Sequence, residues 1–402
     1  MPWKKTEPME QRTEFALKAL RTGNFRELCR EYGISTKTGY KWRERFLGQG
    51  LGGMAEQSRR PQSHAQQLSE EVVCEMVRLK LAHPAWGPRK IRELYVRQKG
   101  QAASESTFKR VLQRSGLTQV RKRRKASESG RLCTGRKAQA ANEIWTVDFK
   151  GWWWTGHCRF EPLTVRDEYS RYLLELRAVP DARTETIQRS FERLFDRHGL
   201  PGAIRSDNGS PFASRRALYG LSRLSAWWVA MGIDLERGRP GHPQDNGAHE
   251  RLHRDIGLEL ESLGPRTSQD ALDLWRQTFN EQRPHEALGM RCPSQLYHNS
   301  SRKYHGPIEE LIYPRMANRR INRQGQMSWE NELYFLSTSL AGWSVGLKDT
   351  PEGRIEVWFA RLLLGWIQPA SASFLRADIR PQKSESKAEK KVTRKITVLP
   401  MY

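Results

Sequence analysis

Three acidic residues, each at the edge of a predicted regular element, constrain this chain more than any other feature. Asp148 closes Ile144-Trp145-Thr146-Val147-Asp148, and Asp207 opens Asp207-Asn208-Gly209 directly after Ala203-Ile204-Arg205-Ser206. Glu250 closes Gly241-His242-Pro243-Gln244-Asp245-Asn246-Gly247-Ala248-His249-Glu250. If the elements around them pack as predicted, the three meet in space and can hold divalent metal ions.

The elements follow from hydrophobic periodicity. Residues 144–151, 160–166 and 172–179 read as consecutive strands, the first two joined by a loop with Trp152-Trp153-Trp154. Residues 184–198 form an amphipathic helix with Ile187, Phe191, Leu194 and Phe195 inward. A short buried strand follows at 203–206, a mostly helical stretch at 212–231, and another strand at 232–236. Asp245 caps a helix running to about Leu263, and a further helix covers 269–283. Meander strands followed by βα units predict a mixed sheet covered by helices. On the Asp245-capped helix the apolar stripe is Leu252, Ile256, Leu260 and Leu263. Glu250 lies about 160–200° from Leu252 at 100° per residue, so it need not be buried against the sheet.

Phosphodiester chemistry without a covalent enzyme intermediate needs an activated water or hydroxyl and a stabilised leaving oxygen. Two divalent ions held about 3.5–4 Å apart by shared carboxylates supply both. Oxygen ligands suit Mg²⁺ or Mn²⁺. Each acid also has an ordinary reading. Asp207-Asn208-Gly209 is a good turn, Asp148 a plausible strand-end hydrogen-bond acceptor, and Glu250 a first-turn glutamate favoured by the helix dipole. Two rival acids have structural assignments: Asp167 organises a strand turn and Asp245 caps a helix.

Charge is unevenly spread along the 402 residues, whose formal net charge is +24. Residues 1–140 carry 31 Lys+Arg against 13 Asp+Glu, residues 141–300 carry 21 against 22, and residues 301–402 carry 17 against 10. Basic flanks around a near-neutral, carboxylate-bearing centre fit an enzyme with a polyanionic partner. The cysteines (Cys29, Cys74, Cys133, Cys158, Cys292) show no CxxC pair, which supports neither a zinc site nor a disulfide framework. No apolar run reaches membrane-span length and the start lacks a signal-peptide core, so a cytoplasmic protein with no membrane partner is expected.

The flanks read as multidomain equipment. Residues 12–47 predict a helix-turn-helix: a first stripe of Phe15, Leu17 and Leu20, and a second short helix ending at Gly33. A third helix is capped by Ser35 or Thr36, with Tyr40, Trp42 and Phe46 as apolar contacts. Lys37, Lys41, Arg43 and Arg45 are left for solvent or phosphate. A second trihelical unit has Leu68, Val72, Val73, Met76 and Leu79 in its first helix and Ile91, Leu94 and Tyr95 in its second. Ser104 caps its third helix, with Phe108, Val111 and Leu112 inward and Lys109, Arg110 and Arg114 outward. The basic run 121–125 follows. Two such units in tandem, each able to place a helix in a major groove while Arg121 and Arg123 follow phosphates, predict bipartite DNA recognition by Lys37, Lys41, Lys109, Arg110, Arg121 and Arg123. Beyond about Pro307 the pattern is all-β, with strands at 327–336, 343–348, 354–360 and 362–367, which suggests a small barrel. The expected domains are 1–60 (helix-turn-helix), 61–140 (a second winged-helix or helix-turn-helix-like domain plus basic linker), 141–300 (α/β core), 301–375 (small β-barrel) and 376–402 (basic, disordered tail).

Motifs then carry a resemblance. Trp145-Thr146-Val147-Asp148-Phe149, Arg166-Asp167-Glu168-Tyr169-Ser170-Arg171, Ser206-Asp207-Asn208-Gly209-Ser210-Pro211-Phe212 and the Gly241–Glu250 run resemble the integrase core of DDE transposases. The likeness is to bacterial insertion-sequence transposases of the IS481 type, relatives of retroviral integrases. Asn280-Glu281-Gln282-Arg283-Pro284-His285-Glu286-Ala287-Leu288-Gly289 is similar to that family's downstream signature. The resemblance implies an RNase H-like catalytic core with Asp148, Asp207 and Glu250 as catalytic, metal-binding triad holding two Mg²⁺ or Mn²⁺ ions, and an SH3-like C-terminal barrel. It implies a DNA transposase that binds the terminal inverted repeats of its element, nicks to expose a 3′-hydroxyl and joins it to target DNA, as a homodimer or higher oligomer on DNA. A non-catalytic, domesticated DNA-binding regulator and a related nuclease are the alternatives. One departure stands out: 42 residues separate Asp207 from Glu250, more than such proteins typically have. The surplus is expected in 214–226, away from both carboxylates.

Overall fold

Caps and glycines delimit the first three helices where the sequence places them. The computed structural model describes residues 7–56, 68–118, 136–155, 158–214, 217–238, 247–260 and 268–377, in two units, Met1–Ser69 and Glu70–Tyr402. In the first unit, α1 (Pro8–Ala19), α2 (Phe25–Glu31) and α3 (Thr36–Gln49) enclose Phe15, Ala16, Leu28, Cys29, Trp42 and Met54. Ser35 caps α3 by accepting from the Thr38 amide at 3.2 Å. Gly33 takes φ 61°, the left-handed turn that lets Ile34 N–H reach the Cys29 carbonyl. Leu17 and Leu20, expected inward, are 46 and 45% exposed, because α1 turns Phe15, Ala16 and Ala19 to the core instead. Tyr40 is also exposed, but it stacks on Phe25.

Close helix approach in this unit depends on Gly39. A Cβ there would stand 2.6 Å from Cys29 Sγ and 3.0 Å from the Phe15 ring. Gly39→Val is expected to destabilise the unit by roughly 1–3 kcal/mol, read as faster amide exchange across α1–α3 in dilute urea.

The second unit begins with α4 (Glu70–Ala82), α5 (Pro88–Lys99) and α6 (Glu105–Arg114), the last capped by Ser104 accepting from the Thr107 amide. Met76, Leu79, Ile91, Leu94, Tyr95, Phe108 and Leu112 are buried as their stripes predict. Val72, Val73 and Val111 are only half-buried. Lys80 is buried because its ammonium donates to the carbonyls of Pro84 and Trp86.

A mixed sheet follows, built from β1 (Ile144–Phe149), β2 (Trp153–Thr155), β3 (Cys158–Asp167), β4 (Leu173–Val179), β5 (Ala203–Ser206) and β6 (Asp234–Arg237). β3 pairs antiparallel with β2, β4 and β1, whereas β1, β5 and β6 run parallel to one another. On one face α7 (Thr184–His198) and α8 (Arg223–Ala230) bury Trp145, Val147, Leu163 and Val165. On the other, α9 (Gly247–Leu260) and α10 (Gln269–Glu281) pack Leu252, Ile256, Leu260, Leu272, Trp275 and Phe279 against Leu173 and Leu176. Leu174 is an extra residue in β4 where the register with β3 shifts. The bulge lets neighbouring leucines serve opposite faces.

The C-terminal part is all-β. The antiparallel sheet β13-β12-β11-β10-β7 comprises β7 (Ala317–Arg320), β10 (Ser344–Asp349), β11 (Ile355–Phe359), β12 (Leu362–Gln368) and β13 (Ser373–Arg376). β8 (Gln326–Trp329) and β9 (Glu332–Phe335) form a separate hairpin. The expected single strand 327–336 is therefore two strands, because Glu330 and Asn331 both take positive φ (50° and 68°) and reverse the chain. β13 extends to Arg376, past the expected boundary at 375. The tail from 378 onward lies outside the described residues.

The described residues 217–226, within the stretch read as surplus, pack against the C-terminal sheet. Leu218, Leu221, Ala226 and Ala230 share one core with Val345, Val357, Phe359, Leu364 and Ile367. Tyr219 Oη donates to the Leu363 carbonyl at 2.8 Å, and Arg361 bridges to Asp234 at 2.8 Å. Among the described residues no helix is long and apolar enough to cross a membrane.

Candidate active site

Sheet register puts two of the three acids side by side. β1 and β5 pair in parallel with Thr146 opposite Arg205, so continuing the register two residues sets Asp148 beside Asp207. Alternation turns Trp145 and Val147 to the α7/α8 core and Thr146 and Asp148 to the α9 side. Phe149 and Phe212 stack with centroids 5.3 Å apart, and Phe212 also stacks on Trp228. The Asp207–Phe212 turn is thus pinned to β1 by the aromatic residue that closes its motif.

Asp207 is exposed. A Cβ at Gly209 would stand 2.8 Å from Asp207 Oδ2, so glycine keeps that oxygen open to a ligand. Asn208 Nδ2 donates to the Gly238 carbonyl at 2.8 Å, tying the turn to the end of β6.

Glu250 lies in the first turn of α9 and is exposed, on the side away from buried Leu252 and Ile256, as its helical position requires. The joint between α9 and the sheet was not legible in the sequence. Thr164, opposite Asp148 on β3, donates its hydroxyl to the Asp148 carbonyl at 2.9 Å, and His253 Nε2 lies 2.9 Å from the same hydroxyl. With its one proton committed to the carbonyl, Thr164 accepts from His253 Nε2–H, which fixes the tautomer. Burial, then Lys150 and Arg166, push the His253 pKa down to about 4, so the ring stays neutral. His249, one turn earlier and fully buried, is likewise held below the usual histidine range by burial and Arg166.

Electrostatically the carboxylates act on one another. Burial first, then Asp207, Glu161 and Glu250, push the Asp148 pKa up to about 7 against the opposing pull of the Phe149 amide, which donates to Asp148 Oδ1 at 2.8 Å. Asp207 and Glu250, the other two acids named from the sequence, thus both act on Asp148. Glu161, a fourth, comes from β3 and is found only through the register. They are not drawn into a tight ligand cluster: among the described residues no group of three or more His, Cys, Asp or Glu is placed to hold a metal ion. Mutually repelling carboxylates, one half-buried and one kept open by a glycine, are nonetheless a donor set that fits a hard divalent cation.

The rival acids separate. Asp167 is fully buried and organises the turn after β3, accepting from Asn142 N–H at 2.7 Å and from Ser170 N–H and Oγ–H at 2.7 and 2.6 Å. Asp245 lies outside the described residues. Lys37 and Lys41 are exposed one turn apart on α3, and Lys109 and Arg110 are exposed on α6. Arg121 and Arg123 lie outside the described residues. Lys41, Arg45 and Arg12 surround the Trp42 ring at 4.9, 5.2 and 4.3 Å, and Arg43 lies over Phe25 and Tyr40. These cations are oriented by aromatic faces rather than left loose in solvent.

Comparison with known proteins places these parts. Residues 138–243 and 231–293 each match the integrase core domain family. Residues 11–62 match a helix-turn-helix domain, and residues 38–112 a homeodomain-like domain. An uncharacterised 31.7 kDa protein of insertion element IS407 from Burkholderia multivorans is 27% identical over 253 residues, covering 61% of this chain and 87% of that protein. An uncharacterised 39.2 kDa protein of insertion element IS476 from Xanthomonas euvesicatoria is 27% identical over 231 residues, covering 56% of this chain and 64% of that protein. The HTLV-2 integrase catalytic core domain, solved in complex with magnesium, aligns at 17% identity over 40% of this chain and 99% of that one, with a TM-score of 0.32. Taken with the mixed sheet and the helical units, the domain matches identify a protein built of helix-turn-helix domains followed by an integrase core domain.

Proposed function

We propose that the chain is a DDE-type DNA transposase. The observation that carries this reading is the convergence on Asp148, where Asp207, directly after the neighbouring parallel strand β5, and Glu250 from α9 both raise its pKa. The helical units of 1–60 and 61–140 bind the element's terminal inverted repeats, with Lys37, Lys41, Lys109, Arg110, Arg121 and Arg123 on phosphates. Residues 141–300 form an RNase H-like core, residues 301–375 an SH3-like module, and two copies or more assemble on DNA in the cytoplasm, since two ends must be joined in concert.

Asp148, Asp207 and Glu250 would hold two Mg²⁺ or Mn²⁺ ions, which when bound supply activation of the nucleophile and charge neutralisation at the leaving oxygen. The chain's own part is to hold and aim. Asp148 stands on a central strand locked by the Thr164 hydroxyl, Gly209 keeps the Asp207 oxygen accessible, and the Leu252/Ile256/Leu260 stripe seats the helix bearing Glu250. In the first step water attacks phosphorus and the P–O3′ bond breaks, leaving a 3′-hydroxyl and a 5′-phosphate. In the second that hydroxyl attacks a target phosphate in line, a new P–O bond forms, and the target's own 3′-oxygen leaves and takes a proton.

The test is strand transfer of a duplex carrying the inverted repeat that flanks the gene, with Mg²⁺. Wild-type protein is expected to give joined products, and Glu250→Gln to lose them by at least about a thousandfold. Joined products from Glu250→Gln at the wild-type rate would remove Glu250 from the site. Nicks without joining would mark a nuclease. Tight binding without either product would mark a DNA-binding regulator.

A further inference from the structure

The downstream run 280–292 lies outside the carboxylate site, yet it ties three parts of the second unit together. Asn280 clamps both backbone groups of Leu173 on β4, accepting from its N–H at 2.8 Å and donating to its carbonyl at 2.9 Å. Arg283 is 3% exposed and is held by α9, with Nη2 2.9 Å from Asp255 Oδ2 and Nη1 2.6 Å from Glu259 Oε1. From the other side Arg97 of α5 reaches in. Its guanidinium donates to the Met290 carbonyl at 2.6 Å, the Cys292 sulfur at 2.9 Å and the Gln282 carbonyl at 3.4 Å.

We propose that this junction fixes the distance between DNA held by the helical domain 70–118 and the Glu250 carboxylate, so that Arg97 and Arg283 are positioning residues that select which phosphodiester is cut. The proposal rests on the transposase reading for its DNA substrate. α9 is a rod with a rise of about 1.5 Å per residue. Arg283 grips it at Asp255 and Glu259, and Glu250 rides on the same rod toward its N-terminus. A buried guanidinium with two carboxylate partners is an exacting joint, because moving it strands charge away from water. Arg97 makes its contacts with three acceptors in one planar fork, a geometry that a lysine cannot reproduce. A domain fastened to the core by such a fork cannot tilt without breaking several bonds together.

The experiment uses the full chain, the same inverted-repeat duplex with Mg²⁺, and amide exchange of the DNA-free protein. Arg97→Ala is expected to bind the duplex within about threefold of wild type, to exchange the amides of α9 at least about tenfold faster, and to spread cutting over neighbouring phosphodiesters. Arg97→Lys should recover part of both effects. Arg92→Ala, which removes the bond from Arg92 Nε to the Ala103 carbonyl inside the helical domain, should leave cut position and α9 exchange unchanged. A single cut at the wild-type position, unchanged α9 exchange, or the same spreading in Arg92→Ala overturns the proposal. If wild-type protein cuts no DNA while Arg97→Ala still frees α9, the transposase reading falls and the coupling stands.

Discussion

Asp148→Asn is expected to abolish strand transfer and, in the same protein, to raise the stability of the metal-free fold at pH 8. The two effects have one cause. Folding moves the Asp148 pKa from 3.8 to about 7 by burial and by the carboxylates facing it, so the folded chain resists ionising this group. The sign follows from linkage. Below about pH 4 both folded and unfolded forms carry the proton and there is no penalty. Between pH 4 and 7 the unfolded form ionises first and stability is lost, and above pH 7 the loss is complete. Asparagine never ionises, so the variant should lack this slope and gain roughly 1–3 kcal/mol at pH 8, after discounting for its partial exposure. Urea unfolding of both proteins at pH 5 and pH 8 in EDTA checks it. Equal stabilities at pH 8 would mean that Asp148 is not under electrostatic load. With Mg²⁺ present the order should invert, because the wild type has the full carboxylate set to bind the ion and gains more stability from it.

Asp167→Ala should do the opposite. Its carboxylate is fully buried and satisfies the amides of Asn142 and Ser170 together with the Ser170 hydroxyl. Removal leaves buried donors without acceptors and a cavity at the end of β3, at a cost of about 3–5 kcal/mol. Activity per folded molecule should persist, since no bond of Asp167 reaches the carboxylate site. Asp167→Asn, which keeps one acceptor, should fall between. A loss of joined products larger than the loss of folded protein would move Asp167 into the chemistry.

Much of this was legible in the chain because the informative signals are local. Ser35 and Ser104 announce their helices, the 184–198 stripe is one clean face, and Asp207 sits where a strand pattern stops. What escaped depends on register or on burial. Thr164 meets Asp148 only because β3 pairs antiparallel with β1 at that offset, and Glu161 enters the site by the same pairing. His253 carries no local signal of its role, because its partner Thr164 is supplied by the sheet. In 327–336 the apolar residues on either side of Glu330–Asn331 concealed a reversal at that pair. β7 (Ala-Asn-Arg-Arg) and β13 (Ser-Phe-Leu-Arg) are only four residues long, with no apolar alternation to mark them. Lys80 is buried only because two loop carbonyls happen to face it.

The segment 217–226 has a consequence for how such a chain can change length. An ordinary loop absorbs insertions without mechanical effect. Here Leu218 and Leu221 are wedged into the C-terminal core, and Tyr219, at φ 52°, hooks the Leu363 carbonyl. The segment therefore behaves as a shim. Adding or removing a residue within it would lift or tilt the terminal sheet against the carboxylate platform while leaving Asp148 and Asp207 where they stand.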